Sequence, residues 1–513
     1  MPGKLTHLLP FSAAFEKLCL RHRFWVSAAL LFLLVLLFDW LFYREDSGLT
    51  LTIAFAAIGA ASFLSRRRLS NEGPSLLHIV GLFLLALLPG IETPSVLSFL
   101  FGLLGLIMMA FALNGVARKD PLAWLGAGVE FLLRLTGRSV RDLWVVAAIG
   151  RRRGAVCNPL GLIRIALMPV IFTAVFFVIF MKANPLLDQW YKNLDLHYLI
   201  DLMPRPERIF LWLFVLIFCW PFLRLSRKLY RSTPIGRTAV NNLSSEIGFL
   251  KALSLNEKSV LLSLSLFNAL FALQNGMDLQ FYRSGSVLPE GYSFSQFAHE
   301  GSYALMAATI LAACFILVFD PGKARGRVPS LIRGLLYLWA GQTMMLVALA
   351  MWRLHIYVDA YSLTHFRLWT LVWMGLILIG LVLLMIKLVR GLTGRWLINA
   401  NILSTLMVLY VTAFLNFPLI IATYNIAVAE ADVAKTLDGD YLIALGEDAL
   451  PPLVRLHKEP RYKDLRERIV WRYKDPHDLR DAIWFTPRQM ARKQSDWRQW
   501  SFRRARILSG SNP

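Results

Sequence analysis

A chain of 513 residues that is 57% hydrophobic and only 17% charged, with 34 Phe and 16 Trp, carries more apolar side chain than one soluble core can bury. That surplus excludes an ordinary soluble enzyme and directs the chain to lipid. The formal charge of +22 would suit nucleic acid in a soluble protein, but the Lys and Arg residues stand at the ends of apolar runs, so topology explains them and no nucleic-acid partner is expected.

A bilayer offers no partner to bare backbone N–H and C=O groups, so continuous apolar runs of about 20 residues cross it as helices. The fold class expected is therefore all-α: a polytopic integral membrane helical bundle of about eleven transmembrane helices with a small helical extramembrane tail. In chain order the spans are predicted at residues 24–42, 49–64, 75–91, 95–113, 162–181, 208–223, 260–274, 301–319, 331–352, 366–389 and 396–422. They divide the chain into a four-span N-terminal segment (1–120), an interfacial stretch (121–161), a core bundle of about seven spans (162–425) and a C-terminal tail (426–513). The first run is too long for a cleaved signal and is expected to remain as an anchor.

Every second loop is basic: Arg21 and Arg23, then Arg66 to Arg68, Arg151 to Arg153, Arg224 to Arg231, Lys323 to Arg327, and Lys387 to Arg395. The retention of such charges inside puts the N-terminus in the cytoplasm and, with an odd number of spans, the tail in the periplasm of a bacterial inner membrane. Residues 121–150 set Trp124, Phe131 and Trp144 against Arg134, Arg138 and Arg141, a pattern for a helix in the headgroup plane or a packed cytoplasmic hairpin. In the tail, Asp440 is a candidate cap for a helix over 441–445 that Gly446 stops, a second helix holds Leu453 and Leu456, and longer helical patterns follow over 461–474 and around Trp497 to Arg506. The tail is large enough to meet a protein partner, and its last segment has the composition to lie on anionic lipid.

The four cysteines, Cys19, Cys157, Cys219 and Cys314, lie far apart and read as packing residues. No Gly-rich phosphate loop, HExxH or GxSxG occurs, so the reading leans against an enzyme and calls for no cofactor. The informative feature is a set of costly polar residues at the outer ends of the later spans: Gln274, Asn275, Asp278, His299, Glu300, Arg353, His355, Asp359, Arg367, Asn416 and Asn425. Antiparallel neighbours would gather Gln274, Asp278, His299, Glu300, Arg353, His355, Asp359, Arg367, Asn416 and Asn425 around one outward-facing pocket. His355 and Asp359 fall one helical turn apart and, with His299 or Glu300, have the chemistry of a metal set; the reading nevertheless assigns no metal, because Arg353 pairing with Asp278 or Asp359 accounts for the same residues. Asp39 can snorkel to water, and Asn268, Gln342, Asn399 and Asn401 read as interhelical hydrogen-bond partners.

The run LPEGYSFSQFAHEGSYALMAATILAACFILVF from Leu288, RLHIYVDAYSLTHFRLWTLVWM from Arg353 and ANILSTLMVLYVTAFLNFPLIIATYNIA from Ala400 resemble blocks of the bacterial polytopic membrane family called domain of unknown function 4173. KANPLLDQW, RIFLWLFVLIFCWPF and DGDYLIALGEDALPPL are similar to its other blocks, so the resemblance covers about residue 162 to the C-terminus. It implies a bacterial membrane protein and adds no activity or site residue. Within that frame the residues favour a ligand-binding, sensing or transport-associated component, against a membrane enzyme acting on lipid or envelope precursors or a scaffold of a membrane complex.

Overall fold

The computed structural model describes residues 22–43, 47–65, 76–114, 120–133, 137, 139, 173, 205–224, 257–284 and 329–510. The protein is all-α. Among the described residues, eleven helices lead to the C-terminal region: α1 (His22–Phe42), α2 (Leu49–Leu64), α3 (Leu76–Glu92), α4 (Val96–Leu113), α5 (Pro121–Leu133), α6 (Pro206–Leu223), α7 (Glu257–Arg283), α8 (Ser330–Tyr361), α9 (His365–Arg390), α10 (Gly394–Phe414) and α11 (Phe417–Ala431). Seven of them, α1, α4, α6, α7, α8, α9 and α10, are long and apolar enough to cross a membrane, which makes this a multi-pass membrane helical bundle. The expected fifth and eighth spans, residues 162–181 and 301–319, lie outside the described residues, as does most of the interfacial stretch beyond α5.

The chain forms two compact units. The first holds α1, α2, α6 and parts of α3, α4 and α5. There Asp39 near the end of α1 accepts from Arg208 Nε at 2.6 Å and from the Trp212 indole at 2.9 Å, so the expected snorkelling carboxylate instead has protein partners. Small residues let the helices close: a Cβ on Gly59 would lie 2.8 Å from the Phe83 ring, and one on Gly105 would lie 2.6 Å from Ala86 Cβ. Phe131 then packs edge-on against both Phe111 and Phe222.

In the second unit α8, α9 and α10 run up and down with tight connections. Thr364 caps α9, its hydroxyl accepting from the Arg367 N–H, and Gly391 ends that helix in the left-handed conformation at φ 63°. Thr393 caps α10 in the same way through Trp396 N. The predicted eleventh span is corrected here: the helix stops at Phe414, and Asn416 caps a new one by accepting from Leu419 N at 3.0 Å, with Pro418 in its first turn. A prolyl N–H is missing by chemistry, so a first turn is where proline fits best and the interior of one long span where it fits worst.

Helix α11 belongs with the C-terminal region. Its Phe417, Ile421, Ala422, Ile426 and Ala429 are buried in one cluster with Leu437, Leu442, Leu445, Leu453, Leu456, Tyr462, Leu465 and Leu479. The cluster thus joins Phe417, Ile421 and Ala422, which precede residue 426, to residues of the tail. Around it stand β1 (Leu437–Asp438), α12 (Gly439–Ala444), α13 (Leu450–Lys458), α14 (Lys463–Glu467), β2 (Ile469–Val470), α15 (Pro476–Ser495) and α16 (Phe502–Gly510). β1 and β2 pair in parallel over two residues, Leu437 with Ile469 and Asp438 with Val470.

Two local expectations change in this region. Asp438 is the cap of α12, accepting from Tyr441 N at 2.9 Å, while Asp440 turns to the backbone N–H groups of Arg472, Tyr473 and Lys474 at 2.8–3.0 Å. Gly446 does stop the segment, at φ 77°. The pattern over 461–474 yields only the five-residue α14, because β2 takes Ile469 and Val470 out of helical register.

Candidate functional site

Five of the predicted polar residues, Gln274, Asp278, Arg353, His355 and Asp359, hang from two helices, α7 and α8, whose register is set by a ladder. Asn268 Nδ2 donates to Leu335 O at 3.1 Å, Asn275 Nδ2 to Gln342 O at 3.0 Å, and the Tyr282 hydroxyl to Leu349 O at 2.8 Å. Each donor is seven residues beyond the last and each acceptor likewise, so the two helices run parallel and present one face to each other every two turns. Amides and a phenol suit this role, since hydrocarbon surroundings leave their donors no water.

Past the ladder, the Arg353 guanidinium donates to Asp278 Oδ1 at 2.6 Å, and both residues are 5% exposed. Two residues further along α8, His355 Nε2 lies 3.6 Å from Asp359 Oδ2, one turn on; the imidazole is exposed and the carboxylate half-exposed. The other Asp359 oxygen accepts from the Tyr424 hydroxyl at 2.9 Å, and burial together with the Asp359 carboxylate pushes that phenol up to about 12, so it remains a proton donor.

The remaining residues hold the turn between α8 and α9. Arg367 donates to Tyr361 O at 2.6 Å and to Ser362 O, with its guanidinium 4.1 Å from the centre of the Tyr357 ring. It thereby satisfies carbonyls at a helix end that lacks further turns. Asn425 accepts from Leu363 N at 2.7 Å and donates back to Leu363 O at 2.9 Å, and His365 N donates to the Tyr441 hydroxyl at 2.9 Å. Val358 and Leu363 complete the fastening by entering the hydrophobic cluster of the C-terminal region. Asn416, besides its capping role, donates to Asp448 O at 3.1 Å.

Eight of the ten predicted site residues thus fall into a buried ion pair (Asp278, Arg353), a solvent-facing set (His355, Asp359) and a fastening (Arg367, Asn416, Asn425), with Gln274 half-buried on α7. His299 and Glu300 lie outside the described residues. Among the described residues no group of three or more His, Cys, Asp or Glu is placed to hold a metal. A cleft of 620 Å³ between α9 and α10 has a mostly apolar lining with Asn401 and Thr405, and contains none of the predicted site residues.

Sequence reasoning missed a charged cluster on the same end of the bundle. Glu92, 6% exposed at the end of α3, accepts from Arg503 at 3.3 Å and Arg506 at 2.8 Å; Arg503 also reaches Asp448, and Arg504 pairs with Glu447 at 2.7 Å. Burial pushes the Asp448 carboxyl up, against the pull of Arg503. The signal available was Glu92 itself, an acid in the short break between two apolar runs, which calls for a cation from elsewhere in the chain.

The model of the family described as Domain of unknown function (DUF4153) matches residues 79–456, from within α3 to within α13. The chain belongs to that family. This corrects the resemblance drawn from the sequence: the matching family is 4153, a different domain of unknown function from 4173, and the bacterial origin that the earlier resemblance implied goes with it. The matched region reaches back through α4 and α5, ahead of the blocks on which that resemblance rested. Neither a curated protein nor a solved structure matches the chain.

Proposed function

We propose that this member of the DUF4153 family is a ligand-binding and sensing component of an inner (plasma) membrane, with the end of α8 as the sensing element. The observation that carries the reading is that the end of α8 bears the His355–Asp359 pair beside Val358, which, with Leu363 of the turn that follows, enters the core of the C-terminal region. A small polar ligand engaging His355 and Asp359 would compete with the Tyr424 hydroxyl, and through it with the packing of α11. Arg353, Arg367, Asn416 and Asn425 already have structural partners, so the ligand contacts are assigned to Gln274, His299, Glu300, His355 and Asp359.

The proposed orientation has the N-terminus in the cytoplasm and the C-terminal region on the other side, which is the periplasm in a bacterial cell. Supporting it, Glu92, the 362–364 turn and the end of α10 all bond to the C-terminal region, whereas the basic cluster at 387–395 belongs to the opposite ends of α9 and α10.

The test is native mass spectrometry on the full chain purified in nanodiscs, comparing the parent protein with His355→Ala and Asp359→Asn. The expected result is a copurifying small-molecule mass that both variants lose at an unchanged melting temperature. A parent protein carrying no mass beyond lipid, or variants that keep the mass, overturns the reading.

A further inference from the structure

The last forty residues contain a concentration of positive charge that the proposed function does not use. From Arg488 to Arg506 the chain has seven basic residues (Arg488, Arg492, Lys493, Arg498, Arg503, Arg504 and Arg506) against one acid, Asp496. Arg503 and Arg504 are buried in ion pairs, while Arg488 and Arg492 are exposed, as is Arg506 beside its pairing with Glu92. Large aromatic side chains are exposed among them: Trp484 at 59%, Phe485 at 52%, Trp497 at 43% and Phe502 at 48%.

The arrangement is periodic. Arg480, Trp484, Arg488 and Arg492 recur every four residues and so form one stripe along α15, with the Arg488 guanidinium 4.2 Å from the centre of the Trp484 ring. On α16, Phe502 and Arg506 are four apart and share an exposed face next to the one that buries Arg503 and Ile507. Met490 and Ile507 pack together with Leu450, which joins the two helices.

Depth is the second, independent observation. Arg503 donates to Ala413 O at 3.4 Å and to Leu415 O at 3.2 Å, the last carbonyls of α10, and pairs with Glu92 at the end of α3. Helix α16 therefore lies level with the points at which apolar helices end, which is where headgroups begin. Amphipathic aromatics interleaved with arginines at that depth are the composition of an interfacial surface, apolar bodies entering the acyl boundary and guanidinium groups meeting phosphate.

We propose that the exposed side chains of residues 484–506, chiefly Trp484, Arg488, Arg492, Trp497, Phe502 and Arg506, form a docking surface for the anionic phospholipid headgroups of the leaflet beside the C-terminal region. The inference is independent of which side of the membrane that leaflet faces, and of the ligand assigned to α8. An acidic protein is the rival occupant; continuity with the ends of the spanning helices favours lipid.

The experiment uses the full chain in nanodiscs of phosphatidylcholine alone or mixed with phosphatidylglycerol, with a nitroxide at Phe502→Cys or, as control, at Tyr473→Cys. Tyr473 is 88% exposed and outside the proposed surface. Expected in the anionic discs is a shift at 502 from nickel-chelate towards oxygen accessibility, absent at 473, relieved by salt, and with a docking equilibrium weakened about fivefold for each charge removed by Arg488→Gln and Arg492→Gln. Should the double variant fail to assemble, the salt titration of the parent chain reads the same term. Equal accessibility at 502 in both lipids overturns the proposal, as does shielding by polyglutamate but not by phosphatidylglycerol.

Discussion

Asn425 closes both hydrogen-bonding groups of the Leu363 backbone, one at 2.7 Å and the other at 2.9 Å, across 62 residues of sequence. Leu363 is 6% exposed and Asn425 4%, so water has no access to replace either bond. An Asn425→Leu variant leaves a buried N–H and C=O unpaired, at about 1–3 kcal/mol each. Hydrogen exchange checks this: protection at residues 362–365 should fall by far more than protection within α9.

The same turn stores strain. Ser362 sits at φ 66° and ψ 165°, a region that residues with a Cβ avoid. Ser362→Gly should therefore raise stability by about 1 kcal/mol, read as a higher melting temperature in nanodiscs. A fall would mean that the serine side chain contributes more than its backbone costs.

The Asp278–Arg353 pair is buried on both sides, with side chains 7% and 6% exposed. Removing one partner strands a charge away from water, so Arg353→Met alone should cost about 3–5 kcal/mol. The double variant Asp278→Leu with Arg353→Met should recover most of that loss in chemical denaturation. No recovery would show that the pair does more than satisfy itself, and would strengthen its claim to a place in the ligand site.

Asp440 supplies the pH-dependent term. Its carboxylate loses some hydration, but three backbone N–H groups at 472–474 and the charge of Lys474 outweigh this and hold it below the usual carboxylate range. A depressed folded value means that its stabilising contribution is present above the unfolded value of about 4 and is lost as pH falls through the folded one. Between about pH 6 and about pH 3, the parent chain should lose more stability than Asp440→Asn does. Parallel melting curves for the two would refute the assignment.

Sidedness is open to direct measurement. A Tyr473→Cys variant should react with a membrane-impermeant maleimide in cells whose outer barrier has been opened, without lysis. Reaction only after lysis would invert the orientation and move the His355–Asp359 pair to the cytoplasmic face.

Much of the bundle was legible because hydropathy needs no tertiary information. The spans predicted at 49–64, 95–113 and 366–389 lie within two residues of α2, α4 and α9. What hydropathy could not see was where an apolar run stops being a span: residues 396–422 read as one, but Asn416 and Pro418 were the local evidence for a break, and the core that claims Phe417 and Ile421 is assembled from residues up to 60 positions away. Helix α15 went unread although Asp475, Pro476 and Asp478 spell a capping box, because attention to apolar stripes passes over a helix whose faces are mostly polar. The pairing of Arg353 with Asp278 was one of two that the sequence offered, but the partners of Arg367 and Asn425 were not legible: both look like ligand contacts in a string and serve backbone groups in the fold. Sequence separation hides such pairings, since nothing local distinguishes an amide that holds a turn from one that meets a ligand.

The ladder from Asn268 to Tyr282 constrains how the bundle can move. Because the three rungs share one register, a slip along the helix axis would break all of them at once before their donors could meet other backbone carbonyls of the facing helix. Helices α7 and α8 must then tilt or rotate as a single beam, and any signal arriving at the tip of one is delivered along the whole length of both.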